Sequence, residues 1–145
     1  MKKIGEYTAR GRIEHRFIQR ITLFDGCFNT GYKVISFELL TDDPTTALND
    51  VSGTLATEEA AATSEWNLAD VRQIGWAGHE VRQGGPAESG GAVDPDNFIV
   101  EDLYVYGFNA AGTNNYINYI ITMEKYETTD WRGALAMVRN SAQSS

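Results

Sequence analysis

The chain has 145 residues, 42% of them hydrophobic, and its 12 basic and 20 acidic side chains give a formal net charge of −8. That length supports one domain with a real core and not two, while a lone cysteine, Cys27, excludes an internal disulfide and a cysteine-based zinc site. No apolar run approaches the ~18 to 20 residues that a bilayer-crossing helix needs, and the Met-Lys-Lys start runs into Ile-Gly-Glu-Tyr rather than a signal-like apolar stretch, so the expectation is no membrane span and synthesis in the cytoplasm.

The charge is unevenly spread. Residues 1–20 hold Lys2, Lys3, Arg10, Arg12, Arg16 and Arg20 against Glu6 and Glu14, a net of +4, and the remaining residues carry −12. Residues 1–12 therefore read as a basic N-terminal arm or edge strand, with Tyr7 to Arg12 as a weak strand candidate, and residues 13–145 as a single β-sandwich domain. Such an arm could meet an anionic partner, either polyphosphate or the acidic body of a neighbouring copy; equally, arginines could blunt a solvated strand edge.

Period-two patterning dominates the chain beyond the arm. In Ile13 to Phe24 the odd positions Ile13, Phe17, Ile21 and Leu23 are apolar, with Glu14, Arg16, Arg20 and Thr22 opposite. Asp25-Gly26 and Asn29-Thr30-Gly31 supply turn chemistry, so a hairpin-like return into Tyr32 to Leu40 is predicted, ended by Asp42-Asp43-Pro44. Further strands are predicted at Val51 to Thr57, Val71 to Ala77, Phe98 to Phe108 and Tyr116 to Tyr126. The stretch TEEAAATSEWNLAD suggests at most a short helical turn, and Arg82 to Asn97, rich in glycine and proline, suggests a long outward-facing loop. Near the end, Thr129 or Asp130 can cap a helix in which Trp131, Ala134, Leu135 and Val138 share a face and Arg139 sits in the last turn.

Many short strands and little helix define the expected fold class: all-β, an antiparallel two-sheet sandwich, jelly-roll-like, with one short C-terminal helix. An oligonucleotide-binding type of barrel is the alternative. Both late strands are apolar or aromatic on both faces, whereas a two-layer sandwich leaves each strand one wet face. The terminal helix, a folded-over loop or another chain must then cover the surplus, and the expectation falls equally on the helix and on a subunit contact.

Catalytic patterns are sparse. There is no phosphate-cradling Gly-x-x-x-x-Gly-Lys-Ser/Thr, no His-x-His and no His-Glu-x-x-His, and His15 and His79 read as strand and loop-edge residues. Glu101 and Asp102 alternate to opposite faces and cannot act as a paired acid and base. Hard oxygen donors at Asp94 and Asp96, and at Asp42, Asp43 and Asp50, could approach a calcium ion but match no calcium loop and have turn composition. Stacking of single-stranded nucleic acid on the tyrosines lacks a cationic groove, because Lys125 is the only cation near Tyr104, Tyr106, Tyr116, Tyr119 and Tyr126, while Glu101, Asp102, Glu124 and Glu127 repel phosphate. Nucleic-acid contact is thus expected only through the basic arm. No catalytic residue, cofactor or metal is expected.

The phrases VDPDNFIVEDLYVYGF, INYIITMEKYE, ALAMVRNSAQ and WNLADVRQIGWA, and with them most of the chain, resemble small β-rich proteins encoded by marine bacteriophages. The resemblance implies a non-enzymatic virion structural role, as a capsid, vertex or other particle component, with a jelly-roll-like fold, homo-oligomeric contacts, and partners that are copies of itself and other virion proteins. It carries over no individual functional residue. For inter-subunit contact the residue types point to Arg10, Arg12, Arg16 and Arg20 for steering against the acidic body, and to Tyr104, Tyr106, Tyr116 and Trp131 for buried contacts. The alternative is a carbohydrate- or receptor-binding module with Trp66 and Trp76 as a stacking platform. A hydrolase is the third reading, and no nucleophile, base and orienting group can be grouped from the sequence for it.

Overall fold

The computed structural model describes residues 2–24, 26, 29–45, 49–81, 88–112 and 114–127. Their strands are β1 (Lys2–Glu14), β2 (Ile18–Thr22), β3 (Thr30–Thr41), β4 (Val51–Ala56), β5 (Gln73–Glu80), β6 (Glu88–Val93), β7 (Asp102–Asn109) and β8 (Tyr116–Glu127), with a 3-10 turn at Glu59–Ala61. All pairings are antiparallel, in a three-stranded sheet β1-β8-β3 and a five-stranded sheet β2-β7-β4-β5-β6. The fold is an all-β two-sheet sandwich. The predicted terminal helix, including Trp131, lies outside the described residues.

The strand order explains the jelly-roll character. In that fold a long antiparallel ribbon winds on itself, so that early strands pair with late ones. Here β1 pairs with β8, β2 with β7 and β4 with β5, while β8–β3 and β7–β4 join successive turns of the winding. The rung between β3 and β6 stays open, because β6 pairs with β5 instead. A cleft of about 220 Å³ remains there, lined by Ile35–Leu39 of β3 and Ser89–Val93 of β6. Beside it the chain between β6 and β7 closes the flank. Tyr32 and Ile99 exchange both backbone hydrogen bonds, at 2.8 and 2.7 Å. The buried Asn97 amide accepts the Val34 N–H at 2.7 Å and donates to the Val34 carbonyl at 3.0 Å and the Asp94 carbonyl at 2.6 Å. An amide side chain thereby copies a strand's donor and acceptor beside the bulge between Val34 and Ser36.

One core lies between the sheets. Alternation brings Ile13, Phe37, Leu39, Ile117, Ile121 and Met123 from one sheet against Val51, Leu55, Ala77, Leu103 and Val105 from the other. At Gly53, which pairs with Gly107 of β7, a Cβ would collide with the Tyr106 carbonyl oxygen.

Three expectations are corrected. Ile13 to Phe24 is not one strand. The chain turns at residues 15–17, with Phe17 N–H bonded to the Glu14 carbonyl at 3.1 Å and Arg16 at φ 65°, and passes from one sheet to the other. The return through Gly26 is a crossing between sheets rather than a hairpin, because β2 and β3 are unpaired and belong to different sheets. The segment read as a long loop up to Asn97 contains β6, whose Gly90 and Gly91 carry no side chains to alternate. Lys2–Glu14 docks along β8 throughout its length and is the edge strand of its sheet.

Candidate functional site

The surplus apolar side of β7 is covered by the chain itself. Tyr104 and Tyr106 point outward from the five-stranded sheet and are half-buried against a small cluster of Ala56, Ala61 and Ala62. The last two belong to the excursion 57–72, which leaves β4 and rejoins at β5, pinned at its base by Thr57 N–H to the Arg72 carbonyl at 2.9 Å. Such a compact loop with close ends is packed by its own side chains. Gln73 holds it down. Its Nε2 donates to the Ala61 carbonyl at 3.0 Å and the Glu65 carbonyl at 2.9 Å, and its Oε1 accepts from Asn67 N–H and Trp76 Nε1, both at 2.9 Å. All four hydrogen-bonding positions of the buried amide are filled. Thr54, fully buried, adds a hydroxyl bond to the Thr63 carbonyl at 2.9 Å. Among the described residues it is the folded-over loop that packs on this face.

The outward side of β8 is handled differently. Arg10 and Glu38 flank Ile120, Arg12 and Leu40 flank Asn118, and Glu6 and Lys33 flank Glu124. The Arg12 guanidinium lies 4.1 Å from the Tyr116 ring centroid and 3.5 Å from Asp42, so long basic stems cover the aromatic surface while their heads stay wet. Lys3 bonds Glu124 at 2.7 Å and Glu6 at 2.6 Å; hydrogen bonding to Glu124 and then Glu6 raises the lysine's pKa, and bonding to Lys3 and then Tyr126 lowers that of Glu124.

Most residues expected at subunit contacts are thus engaged within the chain. Besides Arg12, Arg16 stands 5.5 Å from the Phe108 ring centroid, and Arg20 makes two hydrogen bonds to Asp102, at 3.0 and 2.7 Å. Tyr104 and Tyr106 lie under the excursion and Tyr116 under Arg12. Arg10 differs: it is exposed, and among the described residues it has no ion-pair partner.

A polar chain that the sequence did not signal closes one end of the sandwich. Asn109, fully buried, donates from its side chain to Asn49 Oδ1 at 2.6 Å, and Asn49 donates to Asp42 Oδ1 at 3.0 Å. The His15 Nδ1 accepts Asn109 N–H at 2.9 Å, which requires the neutral ring. Burial, then the Arg16 charge, lowers the His15 pKa. Burial opposes ionisation of Asp42, but bonds from Asn49 and from backbone N–H groups, with Arg12, outweigh it and hold the carboxyl below its ordinary value. Among the described residues no His, Cys, Asp and Glu side chains group to hold a metal ion. Asp94 instead accepts Asp96 N–H at 3.0 Å and Asp43 accepts Thr45 N–H at 3.0 Å, the roles of turn residues.

The tryptophan platform separates into two unlike residues. Trp76 is 8% exposed with its indole N–H committed to Gln73, so it presents no face for stacking. Trp66 is 47% exposed and lines an open groove of about 580 Å³ with Asp50, His79, Glu80, Glu88 and Ser89. In that groove His79 Nδ1 and Ser89 Oγ lie 2.6 Å apart across the β5–β6 pair. Among the described residues no carboxylate hydrogen-bonds to His79, while the Asp50 carboxylate accepts Val81 N–H at 2.8 Å.

Each sheet ends, on the flank joined by the turn 15–17, in a strand that among the described residues is paired on one side only: β1 and β2. Large apolar side chains stand exposed along it: Ile4 and Tyr7 on β1, Phe17 in the turn, Ile18 on β2. These two free edges, the exposed apolar groups and Arg10 make this flank the candidate contact surface of a sandwich protein. No family model, curated protein or solved structure matches the chain.

Proposed function

We propose that the protein is a non-enzymatic structural component of a bacteriophage particle that assembles through surfaces of its β-sandwich. The phage context rests on the resemblance of its sequence phrases. The observation that carries the assembly reading is the β1–β2 flank. Unpaired strand edges are templates for pairing with another chain, and Tyr7 at 49% and Phe17 at 59% exposure add apolar area that association would bury. The partners on this reading are copies of the chain and other virion proteins, and its location is the virion. Light scattering of the purified protein over a concentration series tests it: discrete oligomers support assembly, and a monomer at every concentration overturns it.

A second reading, a carbohydrate- or receptor-binding module, is favoured by Trp66. A half-exposed indole beside the carboxylates of Glu80 and Glu88 and the Ser89 hydroxyl combines an apolar stacking face with hydrogen-bonding groups, the mixture a ligand site of this kind requires. Glycan binding by a monodisperse monomer, lost on Trp66→Ala, would establish it in place of assembly.

A further inference from the structure

The β1 edge is complementary in charge to itself. We infer that two copies of the chain join their β1 edges antiparallel about a two-fold axis at Thr8, fusing two three-stranded sheets into one. This rests on the assembly reading and names the surface and the register.

A bulge lies between Lys3 and Gly5; beyond it Glu6, Thr8, Arg10 and Arg12 point outward, while Tyr7, Ala9, Gly11 and Ile13 point toward the other sheet. A two-fold interface is isologous, so each residue and its facing residue exchange roles in the two copies. With the axis at Thr8, Glu6 of each copy, whose exposed carboxylate also bonds Lys3 of its own chain through one oxygen at 2.6 Å, faces Arg10 of the other, twice, and Thr8 faces Thr8. On the inward side Tyr7 faces Ala9 and Gly5 faces Gly11, the two glycines lying under the Tyr7 and Tyr119 rings of their own chain. Opposite charges directly across a strand pair stabilise it and like charges destabilise it.

Neighbouring registers are poorer. Sliding the strands so that Glu6 faces Thr8 places Arg12 against Lys2, and sliding further places Glu6 against Glu6. In the other direction Glu6 meets Arg12, which is already held by Asp42 and stacked on Tyr116, and one step beyond sets Arg10 against Arg10. The Thr8 register uses the one arginine of the four without an ion-pair partner or aromatic contact in its own chain, among the described residues.

The test is a charge exchange read by sedimentation velocity. Arg10→Glu puts glutamate against glutamate twice, and Glu6→Arg puts arginine against arginine twice. Each variant alone should associate at least about tenfold more weakly than the wild type, from the loss of two pairs and the gain of two repulsions. An equimolar mixture of the two variants restores both Glu–Arg pairs and should return the dimer, which also shows that both variants are folded. If wild type dimerises and either variant dimerises equally well, or the mixture stays monomeric, the Thr8 register is wrong while assembly stands. If wild type is monomeric throughout the concentration range, the assembly reading falls and this pairing falls with it.

Discussion

Replacing Gln73 with leucine keeps side-chain bulk under the excursion 57–72 but removes every hydrogen bond that the amide makes. Four groups lose their partner: Trp76 Nε1–H, Asn67 N–H and the carbonyls of Ala61 and Glu65. Asn67 and Glu65 belong to exposed residues and regain water, so their loss costs little. Trp76 at 8% and Ala61 at 2% exposure do not, and each buried group left unsatisfied costs about 1 to 3 kcal/mol. Partial opening of the loop relieves some of this, for an expected destabilisation of about 3 kcal/mol, or a melting point lower by roughly 10 °C in a domain of this size. Thermal melts with urea titrations measure the loss. Amide exchange read by mass spectrometry should show residues 57–72 exchanging faster at denaturant concentrations where β8 stays protected. Stability within about 0.5 kcal/mol of wild type, the range of an ordinary surface change, with unchanged protection of the loop, would refute the view that Gln73 fastens it.

Gly53→Ala forces a methyl group into the Tyr106 carbonyl, and because β4 and β7 are paired there neither backbone can yield; a loss of more than about 3 kcal/mol, or no soluble folded protein, is expected in expression and melting trials. Asn97→Ala removes the amide that imitates a strand partner for Val34 and should cost about 2 kcal/mol, with accelerated amide exchange at Val34 and Ile99 as the local readout. Stability should fall with pH in two stages. His15 has a lowered pKa in the fold, so the unfolded chain takes up its proton first, and stability present above about pH 6.5 is lost as pH falls through the lower folded value. Asp42 and Asp70 are also lowered, the latter chiefly by its hydrogen bond from Arg72, and the stability they lend above their unfolded pKa, near pH 4, is lost as pH falls through their folded values. Melting curves from pH 8 to pH 3 follow both stages, and His15→Asn, which leaves an acceptor but no titrating ring, should erase the first.

The sandwich was legible in the sequence because alternation is strong in β3, β7 and β8, where Phe37, Leu39, Leu103, Val105, Ile117 and Ile121 all turned out to be core. What escaped had physical causes. Ile13, Phe17 and Ile21 keep the same parity while the chain changes sheets between them, so periodicity reads straight through the turn, leaving Phe17 in solvent. In β6 two adjacent glycines erase the pattern. Ile99 and Val100, neighbours of opposite parity, are both buried because that stretch bridges to Tyr32 of the three-stranded sheet before rejoining the five-stranded sheet at β7. Gln73, Asn97, Asn49 and Asn109 gave no signal at all, since a buried amide and a surface amide look alike until their partners are placed. The aromatic surplus on β7 was a correct reading of the side chains; its cover came from an alanine-rich loop that suggested only a helical turn. The tryptophans show the same limit: Trp66 and Trp76 look equivalent in sequence, yet one is a surface group and the other a donor inside a polar clamp.

Lys2 lies against Glu127 in the finished sheet, and this has a consequence for synthesis. Of the described strands β1 is made first and its partner β8 last, and β3 leans on that same strand. At about 5 to 20 residues per second a ribosome needs roughly 6 to 25 s to travel from one to the other, far longer than the microseconds in which a hairpin closes. Throughout that interval the β1 segment lacks the strand it pairs with in the finished sheet. β1 can therefore take up its place in the sheet only after almost all of the described chain has been made, so the three-stranded sheet is completed late.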